Sequence, residues 1–357
     1  MALVAQAVEK KAPDMKQHPR VALVILNWNG RFFLEKFLPY VYNSTYPNIE
    51  FIVADNASTD DSVAFIRREY PAIRIISNSR NLGFAGGYNE ALKQVNADYF
   101  VLLNSDVEVT PDWIQPVIEL LERETDMAAA QPKIRSLHQR DRFEHAGAAG
   151  GYLDRYGFPF CRGRVLHVVE QDMGQYDDNR DIFWASGAAL FIKRACWEAS
   201  GGFDADFFAH MEEVDLAWRL KRMGYRIGYC HESVVYHVGG GTLNTGNPQK
   251  TYLNFRNSLY MLQKNLSFAR AVWTIFARLW IDLVALLHFV SQGKFKDAWA
   301  VSRAHQHFFI NLAKTARKRQ MYTAAFQPAG SYCGSIVWAF YLYGKHTFKK
   351  LNSRKLL

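Results

Sequence analysis

Residues 99–109 read YFVLLNSDVEV, Tyr99 to Val109. An unbroken apolar run of this kind predicts a strand buried on both faces, as in the interior of a parallel sheet. The run ends on Asn104-Ser105-Asp106. Three oxygen-bearing side chains there either stop the strand as a polar turn or hold a carboxylate over a bound ion.

Upstream, VALVILN (21–27) predicts a first buried strand, IEFIVADN (49–56) a second and IRIISN (73–78) a third, with YFVLLN as the fourth. Between them, Phe32–Tyr42, SVAFIRREY and GYNEALKQV (87–95) have helical character. Alternation at this spacing predicts a parallel sheet with crossover helices. Ligands of such sheets sit beyond the carboxyl ends of the strands. Asn27, Asp55, Asn81, Asn104 and Asp106 all fall there.

Downstream, residues 128–240 are more irregular, with Gly-rich HAGAAGGY and GGGTLNTG and a strand-like ASGAALFIK (185–193). EEVDLAWRLKRMG (212–224) is an amphipathic helix stopping at Gly224. The stretch 267–290 is long and apolar but carries Arg270, Arg278 and Asp282. Charges at a bilayer centre are costly, so it is expected to lie on a membrane or pack on the rest of the chain as a helical hairpin.

The composition, 49% hydrophobic and 22% charged over 357 residues, is that of a globular protein. A net charge of +9 favours an anionic partner. The basic residues are dispersed, however, and match no nucleic-acid motif, so no nucleic acid is expected. Four scattered cysteines predict neither a zinc site nor a disulfide framework.

The polar motifs gain meaning from their order: DNAS (55–58), NLGFAGG (81–87), NSD (104–106), WASG (184–187), HMEEVDL (210–216) and VYH (235–237). Over about residues 20–265 this order resembles the family 2 glycosyltransferases of the GT-A fold, particularly the bacterial rhamnosyltransferase-like branch that builds lipopolysaccharide and other cell-surface glycans. The resemblance implies an α/β, Rossmann-like, mostly parallel sheet flanked by helices. It also implies that Asp55 binds the nucleotide base, that Asn27 lies against the nucleoside, and that Asn81, Gly83, Phe84, Gly86 and Gly87 line the nucleotide-sugar pocket. The family's Asp-x-Asp metal motif stands here as Asn104-Ser105-Asp106. Asp106 is therefore the expected metal ligand, joined by His237, with Asn104 on the ribose or diphosphate. Glu212-Glu213 correspond to the family's Glu-Asp pair, and Glu213 is favoured over Glu212 as the catalytic base.

Three residues carry two readings each. Arg256 contacts phosphate or forms a salt bridge; Trp184 stacks on a sugar ring or packs in the core; His210 touches the acceptor or is structural.

The chemistry needs these residue types. Charge builds on a diphosphate as the donor's sugar departs, and Mn²⁺ or Mg²⁺ held by oxygen ligands stabilises it. An acceptor hydroxyl attacks well only when a carboxylate takes its proton, which is worth about 10²–10⁴ in rate. The expected activity is inverting transfer from a dTDP- or UDP-sugar to a glycan or polyprenyl-diphosphate-linked acceptor, in the cytoplasm and peripheral at the inner face of the cell membrane. The alternatives are a nucleotidyltransferase and a non-catalytic nucleotide- or glycan-binding protein of the same fold. The expected layout is a leader (1–19), a catalytic domain (20–265) and a helical, membrane-associating region (266–357).

Overall fold

A computed structural model describes residues 18–239, 247–319 and 328–357; most of the expected leader and of GGGTLNTG lies outside them. The predicted alternation is present as β1 (Val21–Asn27), α1 (Arg31–Tyr42), β2 (Ile49–Asp55), α2 (Ser62–Glu69), β3 (Arg74–Ser77), α3 (Gly83–Leu92) and β4 (Tyr99–Asn104). These four strands are parallel, in the order β4-β1-β2-β3. Register places Asn27 beside Asp55 and Leu26 beside Asn104, so the polar strand ends share one edge.

The helix expected over 87–95 begins earlier, and the Gly-rich stretch is its first turn rather than a loop. Gly83 turns the chain with φ 71, and its N–H is accepted by Asn81 Oδ1 at 2.9 Å. A Cβ on Gly87 would come within 2.8 Å of Leu26 Cδ1. That glycine therefore lets α3 lie close on β1.

The chain continues through β5 (Val107–Val109), α4 (Ile114–Arg123) and β6 (Met127–Ser136). The short strands β7 (Gly151–Asp154), β8 (Pro159–Cys161), β9 (Arg164–Val165) and β10 (Val168–Val169) come next. Then follow β11 (Arg180–Ile182), β12 (Ala189–Lys193), α5 (Arg194–Ser200), α6 (Glu212–Arg222) and β13 (Arg226–His237). The large sheet runs β11-β13-β6-β12-β4-β1-β2-β3, with β5 on β13. Parallel pairing does not extend across it. β12 enters antiparallel between β4 and β6, and β13 is antiparallel to β5 and β11 while parallel to β6. The sheet is mixed because β12 is not reached from β4 by the single helical crossover that parallel neighbours need. One face is covered by α1, α2 and α4 through Leu34, Phe65 and Val117, the other by α3 and α6 through Tyr88, Leu216 and Leu220.

The C-terminal region comprises α7 (Pro248–Asn265), α8 (Phe268–Ser291), α9 (Phe295–Ile310), α10 (Leu312–Arg317), β14 (Ser331–Tyr332) and α11 (Ile336–Tyr341). It is built into the fold. β14 pairs in parallel with β7 to complete a five-stranded second sheet. The Asp154 carboxylate accepts the N–H of Ile336 as well as those of Tyr156 and Phe158.

In α8 the two mid-helix charges, Arg278 and Asp282, face inward. Arg278 donates to Asp282 Oδ1 at 2.9 Å and to the Tyr156 carbonyl at 3.1 Å, and lies 3.6 Å from the centre of the Phe158 ring. The other oxygen of Asp282 faces His305 Nε2 at 3.1 Å.

Candidate active site

Strand β4 ends at Asn104, and the turn into β5 presents Asp106. Because β5 pairs with the end of β13, His237 is brought to the same place from 131 residues away. Asp106 Oδ1 and His237 Nε2 face each other at 3.2 Å, and Asn104 Nδ2 lies 3.5 Å from the same ring nitrogen. On the far side of the ring, Nδ1 is 3.3 Å from Glu144 Oε2. Burial opposes a charge on His237, but the two carboxylates outweigh it and raise the imidazole pKa to about 10. Burial also opposes charge on Glu144, and His237 outweighs that in turn, holding the carboxyl below its ordinary range.

Adjacent ligands on an octahedral Mn²⁺ or Mg²⁺ are about 3 Å apart, so Asp106 and His237 fit two positions of one cation. Glu144 faces the opposite nitrogen and cannot share it. Among the described residues no set of three His, Cys, Asp or Glu side chains is grouped for a metal. The remaining positions would fall to phosphate oxygens and water.

Asn27 and Asp55 are linked across the ends of β1 and β2: Asn27 Nδ2 donates to Asp55 Oδ1 at 3.1 Å and to Ser58 Oγ at 3.1 Å. Asp55 Oδ2 accepts the Ser58 N–H, so this aspartate also closes the DNAS turn. Asn27 Oδ1 is buried with no hydrogen-bond partner among the described residues. Asn56 ties this edge to α3 by donating to Asn81 Oδ1 and to the Gly83 carbonyl. Phe84 packs edge-on against Tyr88 and meets Gly187, and Gly86 has Leu82 beside it.

The acidic pair opens α6. Oε2 of both Glu212 and Glu213 is buried without a hydrogen-bond partner among the described residues. Glu213 shares a small void with Ala129, Ala185, Leu190, Leu216, Ala217 and Ile227. Such apolar surroundings disfavour a carboxylate: burial pushes Glu213 up to about 7. Glu212, buried beside it, is pushed well above the usual range by burial and then by the charge of Glu213. The 185–190 segment also reaches the end of β4, since the Asn104 N–H donates to the Ala188 carbonyl at 3.0 Å.

The three residues that carried two readings are placed as follows. Trp184 is only 4% exposed, its indole N–H donates to the Tyr152 carbonyl and its ring covers Gly151. It is a core residue with no open face for a sugar. Arg256 spends its guanidinium on Asn257, the Tyr252 hydroxyl and the carbonyls of Asp206 and Phe207, so it braces the 206–207 backbone. His210 has its Nε2 buried without a partner among the described residues, and burial lowers its pKa to about 4. Two residues escaped sequence reasoning. Glu144 stands alone before a Gly-rich stretch, and Asn257 adjoins Arg256, which the sequence had singled out.

The family model for glycosyl transferase family 2 matches residues 22–196. Residues 22–196 belong to glycosyltransferase family 2. An N-acetylglucosaminyl-diphospho-decaprenol L-rhamnosyltransferase of Mycobacterium tuberculosis is 27% identical over 219 residues, 57% of this chain and 71% of that protein. The low-salt glycan biosynthesis hexosyltransferase Agl10 of Haloferax volcanii is 20% identical over 71% of this chain and 78% of its own length. Among solved structures, the mannosyltransferase PcManGT of Pyrobaculum calidifontis, in complex with GDP-Man and Mn²⁺, superposes with a TM-score of 0.52 at 17% identity over 85% of this chain and 78% of its own. GalNAc-T7 with UDP, GalNAc and Mn²⁺ gives 0.55 at 14% identity, over 70% of this chain and 48% of that one. The glycosyltransferase thus has the GT-A fold.

Proposed function

We propose that this glycosyltransferase moves a sugar, rhamnose or another hexose, from a dTDP- or UDP-linked donor to a glycan or polyprenyl-diphosphate-linked acceptor, with inversion and with a divalent cation. The reaction would serve cell-surface polysaccharide synthesis in the cytoplasm, at the inner face of the membrane. The observation that carries the reading is the 3.2 Å approach of Asp106 to His237, an oxygen and a nitrogen ligand drawn together at the donor edge of the sheet. The mycobacterial relative, whose printed name gives a decaprenol-linked substrate, supports the lipid-linked acceptor.

Asp106 and His237 would hold Mn²⁺ or Mg²⁺, which when bound neutralises the charge that develops on the diphosphate. Asn27 and Asp55 present their polar atoms to the nucleoside. Asn104 is placed to donate to a ribose or phosphate oxygen. Glu213 takes the proton of the acceptor hydroxyl on a carboxylate oxygen. Its pKa of about 7 suits a base working near neutrality, whereas Glu212, held higher, stays protonated there. Direct displacement with one base inverts the anomeric centre.

The test is a thermal-shift panel of nucleoside diphosphates and nucleotide-sugars with and without Mn²⁺, since a ligand that binds only the folded chain raises its melting temperature. Asp106→Ala should remove the Mn²⁺-dependent part of the shift. Glu213→Gln should keep the shift and lose transfer. Normal transfer by Glu213→Gln together with an inactive Glu212→Gln would reassign the base.

A further inference from the structure

The positive charge of the chain is concentrated at its end. Residues 266–357 hold fourteen Lys and Arg but only two acids, Asp282 and Asp297. Both aspartates are buried; Asp282 is engaged by Arg278 and His305, and Asp297 accepts the Thr251 hydroxyl. Neither offsets the surface charge of this region.

Helix α8 turns Arg278 and Asp282 toward the protein and its apolar side outward. Trp273, Phe276, Trp280, Val284 and Leu287 recur at helical spacing along one face, and each is more than half exposed. Burial of large apolar side chains is favourable, so a row of five left in water marks a contact surface. The exposed cations Arg270, Lys294 and Lys296 bracket that face at its two ends. By length and composition the helix could cross a membrane, but its mid-helix Arg278 is tied to the Tyr156 carbonyl of the second sheet's turn, which sets its inner face against the protein. The same turn holds α11 through Asp154 and Ile336, and α11 exposes Trp338 and Tyr341.

We propose that the outer face of α8, with the aromatic edge of α11, rests in the interface of an anionic lipid bilayer. Trp273 and Trp280 sit at the headgroup boundary, and Arg270, Lys294 and Lys296 meet lipid phosphates. Tryptophan rings favour that depth, and basic residues beside an apolar face add attraction to anionic lipid. This deepens the membrane-side reading above by naming the surface and the lipid class, and it rests on that reading only for the placement of the acceptor.

The test is co-sedimentation of the full chain with phosphatidylglycerol/phosphatidylcholine vesicles and with pure phosphatidylcholine vesicles, together with tryptophan emission. Binding to the anionic vesicles with a blue shift is expected, and a Trp273→Ser/Trp280→Ser variant should bind at least about tenfold more weakly while hydrolysing donor normally. Equal binding to both vesicles would overturn the anionic preference, and binding to neither would overturn the surface. A soluble dimer split by Trp280→Glu would show that a second copy covers the face instead. Donor hydrolysis without vesicle binding sinks the surface alone, whereas vesicle binding without hydrolysis or transfer sinks the enzymatic reading alone.

Discussion

Asn257 on α7 donates its side-chain amide to the carbonyl oxygen of His210 at 2.7 Å. The same amide lies 2.9 Å from the carbonyls of Phe207 and Ala209. Phe208, His210 and Met211 all have positive φ. Phe208 (φ 64, ψ −61) centres a three-residue turn closed by the Ala209 N–H on the Phe207 carbonyl. Turns of this hand are rare and strained, and each such residue costs about 1–3 kcal/mol unless its surroundings hold it. Glu212 follows directly, and the Phe208 carbonyl accepts the Ala85 N–H of α3. One amide therefore secures the segment joining α3 to the acidic pair.

Asn257→Ala should accordingly misplace the acidic pair while sparing the donor edge. A displacement of about 1 Å at a catalytic group can cost about 10²-fold, so kcat should fall by that order. The nucleoside-diphosphate thermal shift with Mn²⁺ should be retained. Stability should drop by about 1–3 kcal/mol for the carbonyls left without a donor, visible in urea denaturation. A variant that loses stability and keeps kcat would make Asn257 a scaffold residue only.

The acidic pair makes stability fall as pH rises. Burial raises both carboxyls above the ordinary value of 4.5, Glu213 to about 7. Their protonated forms are favoured by folding, so this contribution is fully present below about pH 4.5; the Glu213 part is lost as pH climbs through 7, and the Glu212 part above that. Glu213→Gln mimics the protonated acid. It should melt with the wild type at pH 5 and be more stable at pH 8, by roughly 2–3 kcal/mol. Equal melting at both values would mean that Glu213 ionises normally.

Activity should run the opposite way. If the base must be ionised, kcat/KM should rise with pH along a limb whose apparent pKa, near 7, belongs to the pair. Glu212→Gln should keep that limb and Glu213→Gln should abolish it, read from a full pH profile. A flat profile between pH 5.5 and 8 would exclude a buried carboxylate base.

The sheet edge was legible because VALVILN and YFVLLN are apolar without interruption, IEFIVAD is broken only by Glu50, and each ends on an Asn or Asp. The glycines misled: in NLGFAGG they look like a loop, yet Gly87 exists to let α3 approach Leu26, a tertiary contact with no local sign. Trp184 misled likewise, since a tryptophan in a motif reads equally as a stacking platform or as core, and the Gly151 beneath it lies far off in the chain. Direction was hidden too. Nothing in ALFIK announces that β12 runs against its neighbours. Asp106 and His237 were within reach because each sits in a motif of recognisable order, whereas Glu144 sits in none.

Glu144 is nonetheless the residue on which cation affinity should depend next after the ligands. Its carboxylate lies 3.3 Å from His237 Nδ1 and is itself fixed by the Ala146 N–H. A carboxylate behind a ligating imidazole keeps the proton on the rear nitrogen and leaves the front lone pair free, which is worth about 10–100-fold in metal affinity. Glu144→Ala should weaken Mn²⁺ binding by that factor in a spin-resonance titration made in the presence of nucleoside diphosphate, and Glu144→Gln by less. Since Asp106 and Glu144 together hold His237 protonated up to about pH 10, cation binding must release a proton, and the apparent affinity should rise with pH. An Mn²⁺ affinity independent of both pH and Glu144 would place the cation away from His237.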